Sequence, residues 1–100
     1  MKTIANNDQY IIIFDDQVIE DLASLNNSIK KIKGAVKEVL MDLRHVQYAH
    51  SSFLDYIGKC NMILIKKNIK LKLVNCPDNI YSLFTKTFKD SEIEIKPKDI

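Results

Sequence analysis

Two adjacent hydroxyls, Ser51 and Ser52, stand between the apolar run Val39-Leu40-Met41 and a second apolar series that opens at Phe53-Leu54. The first run is typical of a central β-strand, while the second continues at helical spacing through Ile57, Cys60, Leu64 and Ile65. The serines therefore fall where a helix begins. A helix N-terminus gathers unpaired backbone N–H groups and a partial positive charge, so a hydroxyl held there can cap the helix, contact an anion or accept a phosphoryl group. Ser52-Phe53-Leu54-Asp55 has the capping-box pattern, which assigns the cap to Ser52 and Asp55 and leaves Ser51 free. Phe53 has two readings. It packs inward, or it stands exposed beside Ser51 as an aromatic anchor for a partner.

No catalytic set accompanies these serines. His45 and His50 belong to no HxxxH or HExxH pattern and have no third ligand nearby, so both read as exposed loop histidines. Turn formation and capping account for Asp15, Asp16 and Asp55. Gly34 and Gly58 are the only glycines, too few for a phosphate-cradling loop. Cys60 and Cys76 form no CxxC pair and read as small buried thiols. The expectation is a non-enzymatic chain with no metal site and no cofactor.

The bulk numbers narrow the partners. One hundred residues make a single domain, 1–100, and 46% hydrophobic with 28% charged residues is the balance of an ordinary folded protein. A formal net charge of +2, with Arg44 the only arginine, argues against nucleic-acid reading, which favours guanidinium forks. The lysines from Lys66 to Lys72 read as a solvated rim. No apolar stretch approaches the roughly 20 residues needed to span a bilayer. Cytoplasmic residence without membrane insertion is the expectation.

Several elements must position the serines. Tyr10 to Phe14 reads as a buried strand, Asp15-Asp16 as a turn, and Gln17-Val18-Ile19 as a short return strand. Ile19, Leu22, Leu25, Ile29 and Ile32 form the stripe of a first helix stopped by Gly34. Val36 to Leu43 is the next strand, and the helix after the serines ends near Lys66-Lys67-Asn68. Ile69, Leu71 and Leu73 alternate with Lys70 and Lys72, a strand with one wet face or an edge position. Pro77 suits the first turn of a third helix, with Ile80, Tyr81, Leu83, Phe84 and Phe88 for the core. Glu92 to Ile95 closes the order as a last strand before Pro97. The fold class is α/β, of order β(β)αβαβαβ, with a mixed, mostly parallel sheet of four to five strands and three to four helices.

Read in that order, the chain resembles the STAS domain of the anti-sigma factor antagonists, as a divergent member. The family signature is an apolar strand ending Asp/Asn-Leu, a short loop, and Asp-Ser-Ser-Gly-Leu opening a helix. The matching run here is Val39-Leu40-Met41-Asp42-Leu43, then Val46-Gln47-Tyr48-Ala49, then His50-Ser51-Ser52-Phe53-Leu54. His50 replaces the acid and Phe53 the glycine, and the Gly-x-Leu-Asp after the family's first strand is reduced to Asp16-Gln17-Val18-Ile19. The resemblance implies a protein-binding domain in bacterial partner switching, which controls transcription. Ser51 would be the phosphoacceptor, and His50, Ser51, Ser52 and Phe53 the partner-binding surface. Its partners would be an anti-sigma factor acting as serine kinase and a cognate phosphatase. An alternative is an unphosphorylated STAS subunit docked on the ATPase of an ABC lipid-transport complex. A third reading is a small nucleotide-binding protein using the anion-friendly helix start.

Overall fold

Strands separated by helices must pair in parallel through crossovers, and the β-branched and aromatic run ending at Phe14 is the natural starting strand. A computed structural model of the chain describes residues 2–6, 8–14, 27–32 and 36–98. It has β1 (Lys2–Ala5), β2 (Gln9–Ile13), α1 (described over 27–30), β3 (Glu38–Asp42), α2 (Ser51–Lys66), β4 (Lys70–Cys76), α3 (Asp78–Thr87) and β5 (Glu94–Pro97). The fold is α/β. Its five strands lie in the order β1-β2-β3-β4-β5, with β1 antiparallel to β2 and the other three pairings parallel. Right-handed crossovers between successive neighbours in such a sheet carry their helices to one face.

Pleating sorts the side chains. Tyr10, Val39 and Leu71 share one row, and Ile12, Met41, Leu73 and Ile95 the next on the same face. Ile12, Val39, Met41, Leu71 and Leu73 are buried there with Phe53, Ile57 and Leu64 of α2 and Ile80 and Phe84 of α3. The opposite face carries the row Glu38 and Lys70 and the row Leu40, Lys72 and Glu94. Lys72 lies 2.9 Å from Glu38 and 3.5 Å from Glu94. Lys70 and Lys72 thus belong to a wet face. They do not mark an edge, because β4 lies between β3 and β5.

Three expectations are corrected. β1 is a strand in a segment that the sequence pattern leaves unassigned, because all four of its residues are exposed and only backbone pairing holds it. Leu83, expected in the core, is 38% exposed, since the face of α3 that meets the sheet is set by Ile80 and Phe84. Pro77 precedes α3 as its N-cap instead of lying in the first turn. The Asp15-Asp16 turn, the return strand at Gln17-Val18-Ile19, the stripe residues Ile19, Leu22 and Leu25, and Gly34 lie outside the described residues. Ile29 and Ile32 of that stripe are buried.

The C-terminus of α2 shows how a helix end is closed without glycine. Asn68 takes a left-handed φ of 60°, its N–H donates to the Ile65 carbonyl (3.0 Å), and the Ile69 N–H donates to that of Leu64 (2.9 Å). This is a Schellman arrangement with asparagine at the position glycine usually holds. It turns the chain directly into β4. No helix among the described residues is long and apolar enough to cross a membrane.

Candidate functional site

The two serines are where α2 starts, and both are exposed. The helix opens two residues earlier than a capping box at Ser52 requires. His50 is the N-cap, extended at φ −74° and ψ 156°, and its carbonyl accepts from the N–H groups of Phe53 (3.0 Å) and Leu54 (3.1 Å). Ser51 is therefore the first helical residue and Ser52 the second, while Asp55 lies beyond the first turn. No side chain caps the helix, so the cap assigned to Ser52 and Asp55 is corrected. The local reason is the His50 carbonyl: by accepting from the N–H groups of Phe53 and Leu54 it closes the first turn at His50, which places Ser52 inside the helix instead of ahead of it. Ser52→Ala is accordingly expected to change stability by less than about 0.5 kcal/mol, against about 1 kcal/mol for a true capping serine. Urea denaturation checks this, and a loss above about 1 kcal/mol would restore the capping role.

Phe53 resolves to its inward reading. It is fully buried, its ring edge-on to Phe14 at 5.4 Å between centroids and 6.2 Å from Phe84. Its place in the partner-binding surface is corrected, because an aromatic ring of the first helical turn that aligns with the buried stripe is drawn under the helix. The exposed aromatic group near the helix start is Tyr48. It is 65% exposed and stands edge-on to His50, with centroids 4.5 Å apart. His50 is exposed, as is His45.

The segment between β3 and α2 is pinned from below. Asp42, 4% exposed at the end of β3, accepts the Arg44 backbone N–H at 3.0 Å. It also accepts the Arg44 guanidinium through Nε (3.1 and 3.0 Å) and Nη2 (2.7 Å), and the Asn75 amide at 3.0 Å. Asn75 reaches it because β4 is irregular between Leu73 and Cys76, where Asn75 adopts a left-handed φ of 54°. Burial would raise the Asp42 carboxyl, but hydrogen bonds from the Arg44 side chain and backbone and from Asn75, with the Arg44 charge, outweigh it and hold the group below the usual carboxylate range. Buried Val46 donates its N–H to the Leu43 carbonyl (3.0 Å), and the Asn79 amide of α3 donates to the Gln47 carbonyl (3.2 Å). The loop that delivers Ser51 is thus tied to β4 and α3.

Asp42, Arg44 and Asn75 are the residues the site reading missed as a group. The available signal was an acid closing an apolar strand two positions before the chain's only arginine. Asn75 had none, since its role depends on the bulge.

Cys60 and Cys76 are buried and free, and burial pushes their thiols up to about 11 and about 12, so both are protonated and unreactive at neutral pH. Among the described residues, no three His, Cys, Asp or Glu side chains gather closely enough to hold a metal ion. What the helix start offers is an exposed hydroxyl at an uncapped tip with no acidic side chain in its first turn. Such a tip favours an anion added to that hydroxyl. No protein-family model matches the chain, and no curated protein matches it either.

Proposed function

We propose that this chain is a divergent STAS-type binding domain of the anti-sigma factor antagonist kind, switched by phosphorylation of Ser51 by a partner serine kinase. The observation that carries the reading is the exposed Ser51 at the first position of a 16-residue helix whose tip has neither a side-chain cap nor an acidic residue. A phosphoryl group there brings about −1.5 to −2 charges at neutral pH, next to the positive end of the helix. The domain needs no refolding to accommodate it, because Phe53 and the Asp42 cluster hold the loop and first turn from beneath. The unmodified face of Tyr48, His50, Ser51 and Ser52 binds the kinase-type regulator. The phosphorylated face presents that partner with a bulky anion and releases it, until a phosphatase restores the hydroxyl. In this scheme the chain supplies a substrate serine and no catalysis of its own, and works in the cytoplasm.

The test is intact-mass analysis of protein purified from its native cell. The wild type carries one phosphoryl group, and Ser51→Ala carries none. Phosphate that persists in the mutant, or that maps to Ser52, overturns the assignment. Pull-downs with Ser51→Ala and Ser51→Asp retain different partners if the switch operates. Identical partners, among them a membrane ATPase, would support the transport-complex reading instead.

A further inference from the structure

The end of the molecule opposite Ser51 gathers lysines from four separate elements. The parallel strands begin there, so the helices that connect them end there. The Lys67 ammonium, just past α2, donates to the carbonyls of Lys30 (3.1 Å) and Ile32 (3.2 Å) and draws the ends of α1 and α2 together. The Lys70 N–H, opening β4, donates to the carbonyl of Lys37, just ahead of β3 (3.0 Å). Lys30, Lys31, Lys37, Lys66 and Lys70 are exposed, and Lys67 is half-buried. Among the described residues, only Lys70 of these six joins an ion pair, a loose one of 3.9 Å to Glu94. Glu38 and Glu94 lie closer to Lys72, at 2.9 and 3.5 Å. That leaves Asp8, beside Lys37, and Glu92, which borders the same cleft as Lys70, as the acids facing the group.

The negative ends of two helix dipoles account for Lys30, Lys31, Lys66 and Lys67. Lys37 and Lys70 stand at strand starts and serve no helix end. Gathering six like charges costs self-repulsion, which an anionic partner turns into attraction. Every cation here is an ammonium, a hydrated point charge without the fork that reads base edges or clamps a single phosphate. The exposed aromatic ring of Tyr48, which could stack on a base, is at the other end of α2. The pole has Ile65 instead, 45% exposed beside Lys66 in the last turn of α2. A spread of ammonium groups around an exposed aliphatic side chain fits a sheet of anionic headgroups better than a nucleic acid.

We propose that this lysine pole binds the surface of an anionic lipid bilayer, its ammonium groups among the headgroup phosphates and Ile65 pressed shallowly between them. The attachment is peripheral and reversible. Ser51 and Lys66 open and close α2, about 22 Å apart along its axis, so a domain seated on lipid turns Ser51 toward solvent. The inference stands or falls independently of the proposed switch.

The test is co-sedimentation of the full chain with vesicles of phosphatidylcholine alone and of equimolar phosphatidylcholine and phosphatidylglycerol. Binding to the anionic vesicles should be at least about tenfold tighter, and should fall steeply as salt rises to about 0.5 M, where exposed charges are screened. Each lysine near the surface contributes about fivefold, so the combined variant Lys30→Gln, Lys31→Gln, Lys66→Gln should bind about a hundredfold more weakly. It should still melt cooperatively, since all three side chains are exposed. The combined variant Lys2→Gln, Lys96→Gln, Lys98→Gln removes the same net charge from the other end of the sheet, where Lys2 pairs with Ile13 and β5 finishes. It should bind nearly as the wild type does. Ile65→Ser should weaken binding about fivefold, from the part of that side chain left to bury. Ser51→Ala should bind as the wild type does. Equal binding to neutral and anionic vesicles, or equal losses in the two triple variants, would overturn the proposal. So would unchanged binding in Ile65→Ser, or duplex DNA binding more tightly than anionic vesicles at the same phosphate concentration.

Discussion

Phe53→Ala is expected to lower the stability of the fold by about 4 kcal/mol, within the range for a fully buried phenylalanine. The ring has no exposed surface and bridges Phe14, which follows β2, and Phe84 of α3. Phe84 in turn stands edge-on to Phe88 at 5.8 Å, so the cavity would open in the middle of an aromatic chain. Such rings cannot collapse inward without leaving their edge-to-face geometry, which adds to the simple loss of buried area. Against a total stability of about 5–15 kcal/mol, the substitution consumes a large share. A domain of this length would melt roughly 15–30 °C lower, at about 4–8 °C per kcal/mol. Thermal and urea unfolding check the value. A loss below about 1.5 kcal/mol would mean that Phe53 is not packed between these rings. The result bears on function as well, because Phe53 sits two positions after Ser51 and fixes the first turn that presents it.

Asp42→Ala is expected to cost about 2 kcal/mol at neutral pH, in line with hydrogen bonds to a charged group. The figure stays below the 3–5 kcal/mol of a fully buried broken pair, because the Arg44 side chain is 48% exposed and can turn to water once released. Asn75 loses its acceptor while its backbone remains in the left-handed region, so the β4 irregularity loosens with the β3–α2 loop. Hydrogen exchange at the first turn of α2 should then accelerate, although Asp42 is not part of that helix. The same carboxylate sets an acid limit. Its folded pKa lies below the unfolded value of about 3.9, so its contribution is present above that pH and is lost as pH falls through the depressed folded value. Asp42→Asn, which cannot ionise, isolates the effect. Urea unfolding at about pH 7 should show the wild type more stable than Asp42→Asn, with the gap closing toward about pH 3. A gap that is constant with pH would show that the charge of Asp42 plays no part in holding the loop.

Local patterns carried β2, β3, α2 and β4 into view because burial has a period that the sequence displays directly. Ile12, Val39, Met41, Leu71 and Leu73 are apolar at strand spacing, and Phe53, Ile57, Cys60 and Leu64 at helical spacing. β1 has no such period. Its four exposed residues are held by backbone pairing to β2, and a backbone hydrogen bond leaves no mark in residue type. The capping box failed by two residues for a related reason. Ser52 and Asp55 satisfy the local spacing, but the first turn closes on the His50 carbonyl, a backbone bond that the residue types there do not display.

Residue order alone determined the α/β class, the parallel succession of strands and the placing of Ser51 at a helix start, since each follows from the spacing of apolar side chains along the chain. The tertiary structure decided which way Phe53 points and that Asp42, Arg44 and Asn75 meet beneath the loop. Those outcomes depend on groups brought together from separate strands and helices, and on a bulge that turns Asn75 toward its partner. Contacts of that kind arise from the packing of the whole sheet and its helices, a geometry to which no single stretch of residues has access.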